Sequence, residues 1–507
     1  MGYSAPLATF AGNILRHGEA LTPHRFRFIL CSDLLDHQLL TIIEHTTLPQ
    51  NQYAAVSYPW NGLPSPADPP TTFFQLPLEG PNQLSDPISL SVLRTACLAA
   101  RQHAADLLWI DQICIMQTSA QDKDWQIARM FDLYDRCRLC LVLPGGLQRL
   151  AAHDEETSWI ERSWTLQEAM PRSTHAVFAW SWGSGRSRGL SNGYVVEVEA
   201  GRSAMMELGD LLQAAFLGGL ALREVERDFR LKLFGTDNDP ITALMAVKAA
   251  RGAEMREMAV WRSALLRTCS QPRDMILSIM GIFGVRLDVS KYGKDDREQA
   301  AVDLAFEILK SGRGPSWLGA APGCASLPSM SSMPAFPAMD GREVYYTVAG
   351  RKERPGKIMG SDLTWYVKPV VEAKMETRGS GRLHLTAKSL AVELQGVGPA
   401  KKKPFWPGFN FTASLVLDDG PERGRSVPID LSVSVGAGGR TRALVVGSVE
   451  HFNLPATAAR MLLGAALIMV LRWNSSMDAW EHVAYGTIRD VDDVARTWPT
   501  IVHTIGC

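Results

Sequence analysis

No Walker A sequence, no G-x-G-x-x-G opening a helix and no H-E-x-x-H occurs in this chain, and neither of its G-x-S-x-G matches, Gly185 to Gly189 and Gly189 to Gly193, reads as a nucleophile elbow. This leaves P-loop phosphate binding, Rossmann-type dinucleotide binding, Ser-His-Asp hydrolysis and zincin chemistry without support. The 11 histidines do not cluster, so no metal site is expected. Charge of one sign is also missing: 52 Lys and Arg stand against 53 Asp and Glu. Nucleic acid is therefore not expected as a partner, because phosphate binding needs a strongly basic surface. The one local basic run, Lys401-Lys402-Lys403, reads as a solvated loop before Pro404. No apolar run is long enough to span a bilayer; the longest candidate, Met461 to Leu471, is closed by Arg460 and Arg472. Met1 to Ala20 does not have the charged start and apolar middle of a signal peptide. Cysteine is sparse, with 8 scattered over 507 residues. Cys137 and Cys140 form the lone C-x-x-C, inside a strand-like apolar run, and read as core thiols. A reduced, cytoplasmic setting is the expectation.

What is present is a segmented chain. Its length suggests roughly two to four domains, and its 46% hydrophobic content is ample for their cores. Residues 1–50 read as an N-terminal extension. From about Gln52 to Trp180, strand and helix patterns alternate. Strands are expected at Tyr53 to Tyr58, Leu107 to Asp111, Leu139 to Leu143 and Thr174 to Trp180. Helices are expected at Leu90 to His103, Asp122 to Arg136 and from Ser158 to Met170. Alternation of this kind predicts right-handed crossovers and a parallel sheet, in an α/β domain over residues 51–200. Residues 201–313 read as helical, with a long helix over Ala243 to Thr268. Residues 314–342 read as a Pro-, Ser- and Met-rich connector, and residues 343–507 as a mainly β module. Leu462 to Trp473 fits either helix or strand.

The most informative stretch is Arg162-Ser-Trp-Thr-Leu-Gln-Glu168. Ser158 and Glu161 have the spacing of a capping box, and Pro171 stops the helix. In a continuous helix Ile160, Trp164 and Glu168 would share one face, apolar until it ends in a carboxylate. Such a carboxylate finds a partner or shifts its pKa, and both outcomes are frequent at functional sites. Ligands of open parallel sheets sit outside the carboxyl ends of the strands. Ser57, Tyr58 and Asp111 are expected at those ends, with Glu168 following the third strand.

Three blocks carry a family resemblance: Tyr53-Ala-Ala-Val-Ser-Tyr-Pro-Trp60, Leu108-Trp-Ile-Asp-Gln-Ile-Cys-Ile-Met-Gln117 and Arg162 to Glu168. Their order and spacing resemble the heterokaryon incompatibility (HET) domain of filamentous fungi. Two positions depart from the family pattern: Asn61 intervenes between Trp60 and Gly62, and Met116 replaces the usual Asn before Gln117. The resemblance implies self/non-self recognition and regulated cell death, with protein partners in incompatibility signalling and homo-oligomers as a further expectation. HET domains are in turn similar to TIR domains, which implies a TIR/flavodoxin-like sheet. The Trp164, Leu166, Glu168 pattern is similar to the TIR helix that carries the catalytic glutamate of NAD-cleaving members. By that analogy Glu168 would act on the nicotinamide ribose, with NAD as a substrate and no required cofactor. Ser57, Tyr58, Trp60, Asp111, Gln117, Arg162 and Trp164 would line the ligand crevice, and Trp60 or Trp164 could stack on a base.

Each of these residues has a plainer reading. Glu168 could be a structural carboxylate paired with Arg129 or Arg162. Trp164 and Trp109 read first as core. Asp111 could bond the backbone of its own turn as readily as line a crevice. Gln117 and Gln167 could tie loops together, and Arg162 could pair with Asp111. Cys114 reads as a buried thiol, and Gly145-Gly146 as a turn rather than a phosphate cradle. Non-enzymatic signalling by self-association and a diverged, inactive paralogue stand as the alternatives to catalysis.

Overall fold

The computed structural model of the chain describes residues 2–65, 72–80, 82–188, 190, 193–225, 227–341, 343–348, 350–359, 365–400, 411–418, 423–436, 439–451, 465–488 and 498–506. Lys401 to Lys403, and the first residues of the ambiguous stretch from Leu462, lie outside them. Two compact units are present: Met1–Ile241 with Asp288–Lys291, and Thr242–Leu287 with Tyr292–Cys507.

The first unit is built on a ten-stranded sheet. Its strands are β1 (Tyr3–Pro6), β2 (Phe26–Leu30), β3 (Leu39–His45), β4 (Tyr53–Ser57), β5 (Leu107–Trp109), β6 (Leu139–Val142), β7 (Thr174–Ala179), β8 (Gly185–Arg186), β9 (Tyr194–Glu199) and β10 (Ser203–Glu207). They are ordered β1-β3-β2-β5-β4-β6-β7-β10-β9-β8. The four strands read from sequence form the parallel centre, with Ala54 beside Leu108, Ala55 beside Cys140 and Leu141 beside His175. β2 joins β5 and β10 joins β7 in antiparallel fashion, so the whole sheet is mixed rather than parallel. β1, β2 and β3, from residues 1–50, are strands of this same sheet. Every residue of β4 is buried, as a strand covered on both faces requires.

Each crossover has a readable cause. Leu90–Gln102 is a helix capped by Ser89, whose Oγ accepts from the Val92 N–H, and it buries Val92, Leu93, Ala96, Cys97, Ala99 and Ala100. The helix expected over Asp122 to Arg136 is two: Ala120–Ile127, capped by Ser119, and Met130–Asp135. Arg129, at φ −119° and ψ 3°, interrupts them. The helix expected from Ser158 is also broken. Trp159–Glu161 is a single 3-10 turn, Ser158 makes no side-chain capping bond, and Arg162 is extended at φ −87° and ψ 139°. Thr165–Glu168 forms a separate turn. The Thr165 hydroxyl engages the carbonyls of Trp159 and Arg162, both at 2.8 Å, and so stabilises the kink between them. Ile160, Trp164 and Glu168 therefore do not form one helical stripe.

The helix expected over Ala243 to Thr268 stops and restarts: Asn238–Ala249, which begins in the first unit, precedes Ala253–Leu265 of the second, separated by Gly252 at φ 105°. Asp274–Met280 and Arg297–Lys310 follow as helices. The expected connector contains short strands, including Met330–Pro334. Beyond it lie β11 (Leu383–Pro399), β12 (Phe411–Leu417), β13 (Ser426–Leu431), β14 (Thr441–His451), β15 (Ala466–Asn474) and β16 (Ala479–Ile488). Antiparallel pairings run β11-β14-β15-β16-β13-β12 and back to β11, so these strands close a barrel. Its interior is packed by Leu390, Val392, Leu415, Ile429, Leu431, Val445, Ile468 and Val470. β15 settles the ambiguous stretch as strand over its described residues. The mainly β reading of this region holds.

Candidate functional site

The central strand order sets where a site can form. From β4 the chain crosses to β5 on one side and then returns to β6 on the other. The sheet therefore has a topological switch point at the carboxyl end of β4, where the loops diverge. β4 ends there in Ser57, followed by Tyr58, Pro59 and Trp60.

Two carboxylates are drawn to this end. The Ser57 hydroxyl donates to Glu168 Oε2 at 2.5 Å and accepts from Trp159 Nε1 at 2.7 Å. The Cys140 thiol, on the neighbouring strand β6, donates to the Glu168 carbonyl at 3.1 Å. Glu168 is only 7% exposed. Asp111, half-buried just beyond β5, accepts from the Tyr58 hydroxyl and the Gln112 N–H on one oxygen, and from Trp60 Nε1 at 2.6 Å on the other. Asp111 thus bonds its own turn, as one of its two readings had it, and also clamps the loop after β4. Gln117 donates to the Asp111 carbonyl at 2.8 Å, closing the loop after β5 onto its start.

Burial dominates the electrostatics. It raises the pKa of Asp111 above the usual carboxylate range, against the hydrogen bonds from Tyr58 and Trp60 and the charge of Arg162. The Tyr58 phenol is pushed well up by burial and then by Asp111, with Glu168 adding to the effect. Tyr134 is raised by burial first and by Glu168 next, and its hydroxyl donates to the Val56 carbonyl at 3.0 Å. Cys114 and Cys137 are pushed to about 12 by burial, as core thiols would be. Trp109 is core, edge-on to Tyr134 at 5.6 Å, and Trp164 is half-buried against the same core.

The glycines are accounted for by packing. A Cβ on Gly62 would lie 2.4 Å from the Gly145 carbonyl oxygen, and one on Gly146 would lie 2.7 Å from Gly62 Cα. Gly146 also has φ +88°. These glycines let the loops after β4 and β6 touch backbone to backbone, and the Leu63 N–H donates to the Gly145 carbonyl at 2.8 Å. The plainer reading of Gly145-Gly146, a turn, fits this contact.

Sequence reasoning missed three contributors: Trp159, Arg27 and Asp122. Trp159 precedes the recognised block and reaches Ser57 from 102 positions away. Arg27 is fully buried and meets Asp122, also fully buried, at 2.9 Å, while bonding the Cys114 carbonyl at 3.0 Å. Asp122 in turn accepts from the Met116 N–H at 3.1 Å. A buried, strand-borne arginine was the available signal, but its partner lies 95 positions away. Among the described residues no group of three or more His, Cys, Asp and Glu side chains is placed to hold a metal. No helix of the described residues is long and apolar enough to cross a membrane.

A mixed sheet with a parallel centre, crossover helices and two hydrogen-bonded carboxylates, Asp111 and Glu168, near the switch point defines an α/β domain with a candidate site at its strand ends. Residues 53–151 match the family model described as "Heterokaryon incompatibility protein (HET)". The match supports a HET domain over these residues, and a HET domain suggests a role in heterokaryon incompatibility in fungi. The match covers the first two blocks and ends before Arg162 to Glu168. No curated protein and no solved structure matches the chain.

Proposed function

We propose that this protein acts in fungal self/non-self recognition as a trigger of regulated cell death, and that its HET domain is TIR-like and cleaves NAD with Glu168. The observation that carries the reading is the 2.5 Å bond between Ser57 Oγ and Glu168 Oε2 at the switch point. The parallel order β5-β4-β6-β7 has the second strand outside the first, as in flavodoxin-like sheets, and supports the fold analogy. In the reaction the bond from ribose C1′ to the nicotinamide nitrogen breaks and its electron pair leaves with nicotinamide. Water adds to C1′ and releases one proton. Positive charge develops on the ribose, and a carboxylate such as Glu168 stabilises it. Arg162 is the candidate for a phosphate, and Trp60 and Trp164 for a base. Gln112 and Gln167, next to Asp111 and Glu168 in the chain, each have a buried polar atom without a hydrogen-bond partner, and a ligand could satisfy such atoms. The full chain, concentrated or forced into oligomers, should consume NAD, and Glu168→Gln should abolish the loss. Intact NAD under those conditions sinks the enzymatic reading.

A second reading has its own observation. Both Asp111 oxygens are engaged within the domain and Glu168 is almost fully covered, as in a structural polar core. On this reading the domain signals by self-association with protein partners in the cytoplasm. Glu168→Gln would then leave killing intact in a fungal fusion assay, while changes on the assembly face would remove it.

A further inference from the structure

Glu168 is not held by Ser57 alone. An indole N–H can only donate, so the 2.7 Å contact makes the Ser57 oxygen the acceptor. That fixes the serine proton for the other contact, the 2.5 Å bond to Glu168 Oε2. Trp159 and Ser57 are both fully buried, so water does not compete for either bond. Trp159 is in turn fixed by its 3-10 turn and by Phe234, whose ring centroid lies 5.6 Å away. Ser57 stands at the end of a strand paired on both edges.

From this geometry we infer that Trp159 and Ser57 are positioning residues, a directional donor relay that sets the orientation of the Glu168 carboxylate toward the ligand. The inference rests on the NAD-cleavage reading and adds to it Trp159 and the direction of the two bonds. Both are fully buried, and their bonds lead to Glu168. Tyr58 from the end of β4 and Tyr134 from Met130–Asp135 are among the groups that feel the charge of that carboxylate, and both also feel Asp111, while the Cys140 thiol holds the Glu168 backbone carbonyl. The phenols carry no charge near neutrality, since burial raises both. Loss of a donor to the ionised carboxylate therefore raises its pKa.

The test uses the full chain with Ser57→Ala, Ser57→Thr and Trp159→Phe, each checked for native unfolding behaviour. Ser57→Ala and Trp159→Phe should lower kcat for NAD cleavage about tenfold, with KM little changed. The acid limb of the pH profile should move up by about one pH unit, as expected for one charge-assisted hydrogen bond. Ser57→Thr, which keeps the hydroxyl, should restore both. A carboxylate-specific readout accompanies the kinetics: the infrared carboxyl band lost in Glu168→Gln, titrated in each background. If NAD cleavage needs Glu168 but Ser57→Ala and Trp159→Phe leave kcat and the pH profile unchanged, the relay is overturned and the enzymatic reading survives. If the wild-type chain leaves NAD intact, the enzymatic reading falls, and the positioning role falls with it. The infrared titration then still decides whether the two bonds act on Glu168.

Discussion

At the scale of single residues, the site is held by side chains whose partners lie far away in sequence. Asp122 shows how. It carries no motif, yet it binds the Arg27 guanidinium, the His24 N–H and the Met116 N–H. It thereby fixes the loop that leads from Asp111 to Gln117. Met116, where the family has Asn, is tied through its backbone, so the order of this loop does not depend on the missing amide. Removing one partner of a buried ion pair strands the other charge. Asp122→Ala should cost about 3–5 kcal/mol, read as a fall in the urea midpoint of the first unit. A loss under about 1 kcal/mol would mean that the pair behaves as an exposed one. Sequence reading found Ser57, Asp111 and Glu168 because each sits in a local pattern at a strand end or turn. It passed over Arg27, Asp122 and Trp159 because nothing in their neighbourhoods encodes contacts made across the sheet.

At the scale of elements, period and caps were legible while breaks were not. β4, β5, β6 and β7 stand where alternation and apolar runs put them, within one or two residues. The Leu90–Gln102 helix follows its apolar face and its Ser89 cap. The Ser158 helix failed because the capping-box spacing says nothing about Arg162, whose extended backbone ends the 3-10 turn. A kink there separates Trp159, which turns toward β4, from Glu168, which approaches the same serine from the other side. The loop contact between Gly62 and Gly145-Gly146 is a further element-level device. At Gly62 a methyl group would meet backbone that cannot rotate away. Gly62→Ala should therefore push the loops after β4 and β6 apart and cost about 1–3 kcal/mol. Limited proteolysis should then cut near Trp60 or Pro144 faster than in the wild type; an unchanged digestion pattern would show that the loops yield without separating.

At the scale of the whole molecule, two units with different interiors should respond differently to acid. The barrel was legible only as a set of strands; its closure depends on β11 pairing with both β12 and β14, a long-range fact that no local period reports. Two histidines of this β region are covered: His503 on the strand Thr500–Ile505, which pairs with β11, and the half-buried His482 on β16. His503 is 3% exposed, with Nε2 2.7 Å from Ser389 Oγ, and burial together with the Arg442 charge pushes its pKa down to about 4. His482, beside the Ser331 carbonyl at 3.2 Å, is pushed down to about 4 by burial. In the unfolded chain both rings take a proton near 6.5. Between about pH 6.5 and 4 the unfolded state thus binds more protons than the folded one, and stability falls as pH falls through that window. Each histidine should account for on the order of 2–3 kcal/mol by pH 4. Calorimetry from pH 7 to pH 4 should show the barrel transition moving to lower temperature. His503→Gln, which keeps a hydrogen-bonding group but cannot titrate, should flatten that dependence by roughly half. A barrel transition that stays fixed over this range would mean the rings accept protons within the folded β region, and that Ser389 and Ser331 do not hold them neutral.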